Sequence, residues 1–214
     1  EPFKNFFGLD QGVNVRLGLD YGLTDNWSVG LARTTDGKLY HFRTKYSILQ
    51  QTQSGSVPLS LSFNGNVGVS TVENFRPFED DLSYLAAVLL ARKINKTFSL
   101  QVSPMISHFN SAPIGNEKTL FSLAFGTEIH LGRRYSLIAE YLPVIGEQPG
   151  NLSNAFGVGL NIETGGHVFQ LFLKTSNWHT EQYMLANNTE KFFDGDIRFG
   201  FNVNRLFWLG GKDR

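Results

Sequence analysis

The sequence predicts an all-β fold, a transmembrane antiparallel up-and-down β-barrel of about 12 strands, and three observations carry it. Apolar residues alternate with small polar ones at a period of two through most of the 214 residues. The first such run, over residues 13–23, has the length of a tilted membrane-crossing strand of about ten residues, where soluble strands average about five or six. The polar face of these runs carries Gly, Ser and Asn, which suit a narrow wet lumen, whereas a soluble sandwich would expose Lys and Glu.

Composition narrows the class further. Charged residues are 18 % and aromatics 14 %, with 22 Gly and 19 Phe. This is too much Phe and Leu for a disordered chain. No apolar run approaches the ~20 residues of a helical span. Lys+Arg equals Asp+Glu at 19 each, which argues against a nucleic-acid partner. The absence of cysteine removes disulfides, thiolate metal sites and cysteine nucleophiles. The length fits a single domain, residues 1–214.

The elements follow in order. In the first strand Val13, Val15, Leu17, Leu19, Tyr21 and Leu23 oppose Asn14, Arg16, Gly18, Asp20 and Gly22. Similar alternation marks strands at 27–32, 40–48, 59–70, 98–107, 121–131, 135–141, 156–163, 169–174 and 197–204, although Phe172 breaks the pattern. Residues 82–94 are apolar on both faces and read as a strand whose inner face packs on something. The connections alternate in length. Thr24-Asp25-Asn26, Asn95-Lys96, Gly132-Arg133 and Gly165-Gly166 are tight turns of one parity, and residues 72–81, 110–117, 146–153 and 177–194 are long loops of the other. Short turns belong to the periplasmic side of outer-membrane barrels. The count is about eleven strands, and single-chain bacterial barrels have an even number. A strand upstream of Glu1 is therefore expected to complete twelve. Pairing of residues 3–7 with the last strand, or closure within the chain, would overturn that expectation.

Several stretches carry a resemblance: Phe6-Phe7-Gly8-Leu9-Asp10-Gln11, then Val15-Arg16-Leu17-Gly18-Leu19-Asp20-Tyr21-Gly22, and Phe42-Arg43-Thr44-Lys45-Tyr46 further on. Together with the closing Arg198-Phe199-Gly200-Phe201-Asn202 they resemble an uncharacterised family of outer-membrane β-barrel proteins, a domain of unknown function found mainly in the Bacteroidota. The resemblance implies an outer-membrane location and export by a signal peptide. It implies no activity, and His41-Phe42 stands where the family more often has an acidic-glycine pair.

Arg16, Asp20, Arg43, Lys45, Glu128, Glu140, Lys174 and Arg198 fall on the predicted lumen face. A charged constriction is one reading, and cross-strand ion pairs filling a narrow barrel are the favoured one, because buried charges must be paired or hydrated. No HExxH or close His/Asp cluster occurs, so neither a metal nor another cofactor is expected. Ser107 and His108 are adjacent on a strand and point to opposite faces, which opposes a nucleophile–base pair. Trp27, Tyr40, Tyr84, Tyr135 and Tyr141 suit interfacial girdles. Trp178, His179 and Tyr183, in the last long loop, are candidates for contact with a ligand or partner. The leading functional expectation is a narrow channel or transport component without enzymatic activity. The alternatives are a scaffold barrel in a larger outer-membrane complex and an outer-membrane lipid hydrolase. The expected partners are outer-membrane lipid and other outer-membrane proteins.

Overall fold

The computed structural model describes residues 13–112, 117–148 and 151–207. Among them twelve strands form one antiparallel sheet: β1 (Arg16–Gly22), β2 (Trp27–Thr34), β3 (Leu39–Leu49), β4 (Ser60–Ser70), β5 (Leu82–Lys93), β6 (Phe98–Phe109), β7 (Thr119–His130), β8 (Tyr135–Leu142), β9 (Val144–Ile145), β10 (Ala155–Glu163), β11 (His167–Lys174) and β12 (Arg198–Arg205). Each strand pairs with its sequence neighbour, except that the two-residue β9 folds back onto β7 and β8 pairs directly with β10. The up-and-down order follows from local connections alone. Most tight turns gather at one end of the sheet and most long loops at the other; the β3–β4 connection, residues 50–59, is a longer member of the first set, and the β2–β3 connection, residues 35–38, a short member of the second.

The alternation seen in sequence becomes two faces. Large apolar side chains, among them Leu31, Phe42, Phe63, Phe121, Leu137 and Leu171, project outward and are exposed. In a membrane protein this is the lipid-facing belt. Trp27, Tyr46 and Tyr135 lie outward near the turn end, and Tyr40, Tyr84 and Tyr141 near the loop end, as interfacial girdles do. The inner face carries Ser62, Asn66, Ser83, Ser103, Ser107, Ser122 and Ser136, all buried.

The sheet curls until its ends meet at the loop side. The segment following β11 reaches the start of the chain: Asn14 Nδ2 donates to the Asn177 carbonyl at 2.7 Å, and Asn177 Nδ2 donates to Asp36 Oδ2 at 3.1 Å. Below this contact the sheet is open. Among the described residues no ladder joins β1 to β12, and Leu19 on β1 is 81 % exposed. Both edge strands run from the loop end toward the turn end, so an antiparallel closure needs one oppositely directed strand between them. Residues 1–12, and with them the expected test at residues 3–7, lie outside the described residues.

Two irregularities of the sequence have structural causes. The doubly apolar 82–94 segment is β5, and its inward Leu85 and Ala87 are buried. A short helix of the same chain, α1 (Glu181–Asn187), packs against β5 and β7. Phe172 faces inward and lies across Gly200 on edge strand β12, with its ring edge 2.3 Å from where a Cβ would stand. Aromatic cover of an edge glycine supplies the contact that the glycine lacks.

Candidate functional site

The inner face and the loop that fills its mouth form the candidate site. The β11–β12 connection turns inward. Its residues 181–187, Glu-Gln-Tyr-Met-Leu-Ala-Asn, are mostly strong helix formers. Gln182, Leu185 and Ala186 recur at helical spacing and are all buried. Leu185 and Ala186 join Phe109, Leu120, Ala124, Leu142 and Ala155 in one apolar cluster, with Met105, Val144, Tyr183 and Met184 packed around it. The loop-end mouth therefore holds the main apolar core, and α1 is its lid.

A latch holds the start of this segment. Trp178 stacks on Tyr183 at 4.9 Å and lies over Gly37, whose φ of +63° favours glycine and whose missing Cβ leaves room for the indole. The ring of His179 bonds through Nε2 to the Asn14 carbonyl at 3.1 Å. Burial lowers the His179 pKa to about 4, with Lys174 and Arg16 adding to the shift and the Asn14 bond opposing it. Burial also raises the Asp36 carboxyl, although a bond from the Gly37 amide opposes it, and raises the Tyr183 phenol against a bond with Ser83.

The polar side of α1 is far less well matched than its apolar side. Gln182 is fully buried, and neither of its amide atoms has a hydrogen-bond partner among the described residues. The same holds for both ring nitrogens of His41 and for the hydroxyls of Thr180, Ser107 and Ser122. His41, Ser83 and Gln182 crowd over Gly68, within 3.5 Å of where its Cβ would be. Each unmatched buried polar group costs about 1–3 kcal/mol. Apolar burial thus holds the lid down against polar frustration on its other flank.

Below the lid the inner face is polar and wetter. Arg43 makes a bidentate pair with Asp20, one arm being Nε to Oδ1 at 2.6 Å. The pair borders a cavity of about 250 Å³ that is also lined by Lys45, Ser28 and Asn64. On the opposite wall four successive hydrogen bonds run in one direction. Asn202 donates to Gln170 at 2.7 Å, Gln170 to Asn161 at 2.8 Å, Asn161 to Ser136 at 3.3 Å, and Ser136 to Glu128 at 2.6 Å. The first four members are register partners across β12, β11, β10 and β8, so the ladder is a single row that ends on a carboxylate.

All eight charged residues of the predicted lumen set stand on the inner face, but they do not form one cluster. Asp20 and Arg43 pair with each other. Arg198 instead pairs with Glu190 of the mouth loop, and Lys174 Nζ donates to the Trp178 carbonyl at 2.8 Å. Glu128 closes the ladder, Lys45 lines the cavity, and Arg16 and Glu140 each lie within the field of Glu181 on α1. The loop candidates Trp178, His179 and Tyr183 are packed inside the mouth and engage their own chain. Sequence reading misses Gln182 and Leu185, because the 185–186 pair is too short an apolar signal, and it marks His41 only as a departure from the family's acidic-glycine pair, with no hint of its burial beside Gln182. Ser107 points inward, while His108 points outward and bonds Thr119 Oγ1 at 2.8 Å, so the two form no catalytic pair.

The family described as a membrane bound beta barrel domain, DUF5777, matches residues 1–207. No curated protein matches the chain. Among solved structures the chain is similar to a NanC porin, with a TM-score of 0.62 over 91 % of this chain and 93 % of the other. At 8 % identity that likeness concerns the fold alone. The apolar outer belt, the polar inner face and the match along nearly the whole length agree: the chain belongs to the DUF5777 family of membrane-bound β-barrel domains.

Proposed function

We propose that this barrel stands in the outer membrane and passes small polar solutes through a narrow, mixed-charge lumen whose mouth is constricted by α1. One observation carries the reading. The inner face below the lid is lined by charged and polar side chains around a cavity of about 250 Å³, with Asp20, Arg43, Lys45 and Asn64 on its wall. A barrel serving only as a scaffold would have no need of wetted charges at that depth. Paired charges of both signs give weak selectivity between anions and cations. The test is planar-bilayer conductance of the purified barrel. Small unitary currents are expected, and they should rise when residues 181–187 are replaced by a Gly/Ser linker of equal length. Silence in both forms overturns the channel reading.

A further inference from the structure

We infer that the solutes of this lumen, with the channel reading taken as given, are neutral polyhydroxylated molecules of the sugar class, bound by the amide row on the β8–β12 wall. The row runs straight across the turn-end half of the inner face, where His130, Ser136, Asn161, Gln170 and Asn202 are successive register partners. Neighbouring strands stand about 4.8 Å apart, so these side chains form a rail of closely spaced hydrogen-bonding groups. A side-chain amide carries two N–H donors and an oxygen with two lone pairs. Within the row Asn161, Gln170 and Asn202 each spend one N–H, and the Asn161 and Gln170 oxygens each spend one lone pair. Among the described residues each amide keeps one donor and at least one acceptor position unspent. Asn202 is exposed and Asn161 and Gln170 are half-buried, so these positions are open to the lumen. A donor beside an acceptor is the complement of two neighbouring hydroxyls, each of which both donates and accepts.

Charge and shape narrow the class. The row holds no Lys or Arg. Its titratable groups meet at one end, where Glu128 accepts from Ser136 at 2.6 Å and His130 Nε2 stands 3.9 Å from the same carboxylate. The nearer cations are engaged as well, Arg198 by Glu190 and Lys174 by the Trp178 carbonyl. The three amides therefore offer a charged solute no counter-charge, while a neutral hydroxyl exchanges water for an equivalent partner. Beside the row, on its loop-end flank, stands an apolar one of Ile138, Gly159 and Phe172, with Phe172 lying across Gly200. Amides next to an apolar strip fit a sugar ring, which has hydroxyls round its edge and C–H bonds on its faces.

Maltotriose is the probe. Polyethylene glycol of equal mass, which accepts hydrogen bonds but has no neighbouring hydroxyls, is the control. Binding is read without current, by saturation-transfer NMR on the full chain purified in a detergent that has no sugar head. The wild type should bind maltotriose and not the polymer. Gln170→Leu should weaken maltotriose binding about tenfold, as the loss of one or two net hydrogen bonds would. Asn202→Leu, on the exposed edge strand, provides a second variant, and heat-modifiable gel mobility reports whether each is folded. Absence of binding, equal signals from sugar and polymer, or equal affinity in the wild type and the folded variants overturns the proposal. Planar-bilayer current on the same preparation separates the two readings. Currents without maltotriose binding refute the sugar class alone, and binding without current refutes the channel and leaves the row as a sugar site.

Discussion

Leu185→Ala should loosen the mouth and leave the barrel intact. Leu185 is 2 % exposed and lies at the centre of the cluster that pins α1 to the wall. Truncating a buried leucine costs about 2–5 kcal/mol, with the lower part of that range where the site can collapse. A seven-residue helix at the end of a loop can collapse readily, so about 2–3 kcal/mol is expected. At 1.4 kcal/mol per tenfold, that multiplies local opening by roughly 30- to 150-fold. Hydrogen exchange read by mass spectrometry in detergent should show this loss of protection in residues 181–187. Peptides from β6 and β7 should be unchanged, because backbone ladders hold the strands independently of α1. The companion change has the opposite sign. Gln182→Met keeps the volume but removes two unmatched polar atoms, so α1 should become more protected. If Leu185→Ala deprotected the strands equally, or Gln182→Met loosened the helix, the picture of an apolar lid held against polar frustration would be wrong.

Three further outcomes follow from the same contacts. The neutral His179 of the latch has a pKa lowered to about 4 against an ordinary 6.5, so a released loop binds the proton more readily than the packed one. Latch stability is full above pH 6.5 and is lost as pH falls toward 4. Exchange in residues 177–187 should therefore quicken over that window, and His179→Gln should flatten the response. Gly37→Ala places a methyl at a left-handed φ and 3.0 Å from the Trp178 ring, and should cost the latch about 1–2 kcal/mol. A changed Trp178 environment, read by fluorescence against a Trp178→Phe control, checks it. Asp20→Asn removes the partner of Arg43 in a wetted, half-exposed pair, so stability should change by less than about 1 kcal/mol. In a salt gradient the reversal potential should move toward the anion side, and an unchanged potential would place the pair off the solute path.

Much of the barrel is legible in the sequence because strand alternation is a local property. Leu17 and Leu19 face outward, and Arg16 and Asp20 inward, by the geometry of a single extended chain. The turn parity placed the long loops together for the same reason. The mouth was illegible. Residues 181–187 contain only two turns of helix, and the surfaces that stabilise them, Ala155, Leu120 and Phe109, lie 30, 65 and 76 residues from Leu185 in sequence. The oddities did leave traces. The second apolar face of β5 signalled a covering element without identifying it, and Phe172 broke the alternation because Gly200 on the next strand needed cover.

The sequence by itself determined the all-β barrel, its two faces and its two ends, since each follows from side-chain period and turn chemistry within about a dozen residues. Tertiary structure alone decided which charges pair, that a hydrogen-bonded row runs from Asn202 to Glu128, and that the last loop closes over the lumen. Those are contacts between segments that meet only after the sheet has curled, as Asn14 and Asn177 do at opposite ends of the chain. No local pattern encodes such a meeting, because its free energy comes from surfaces that exist only once the strands stand side by side.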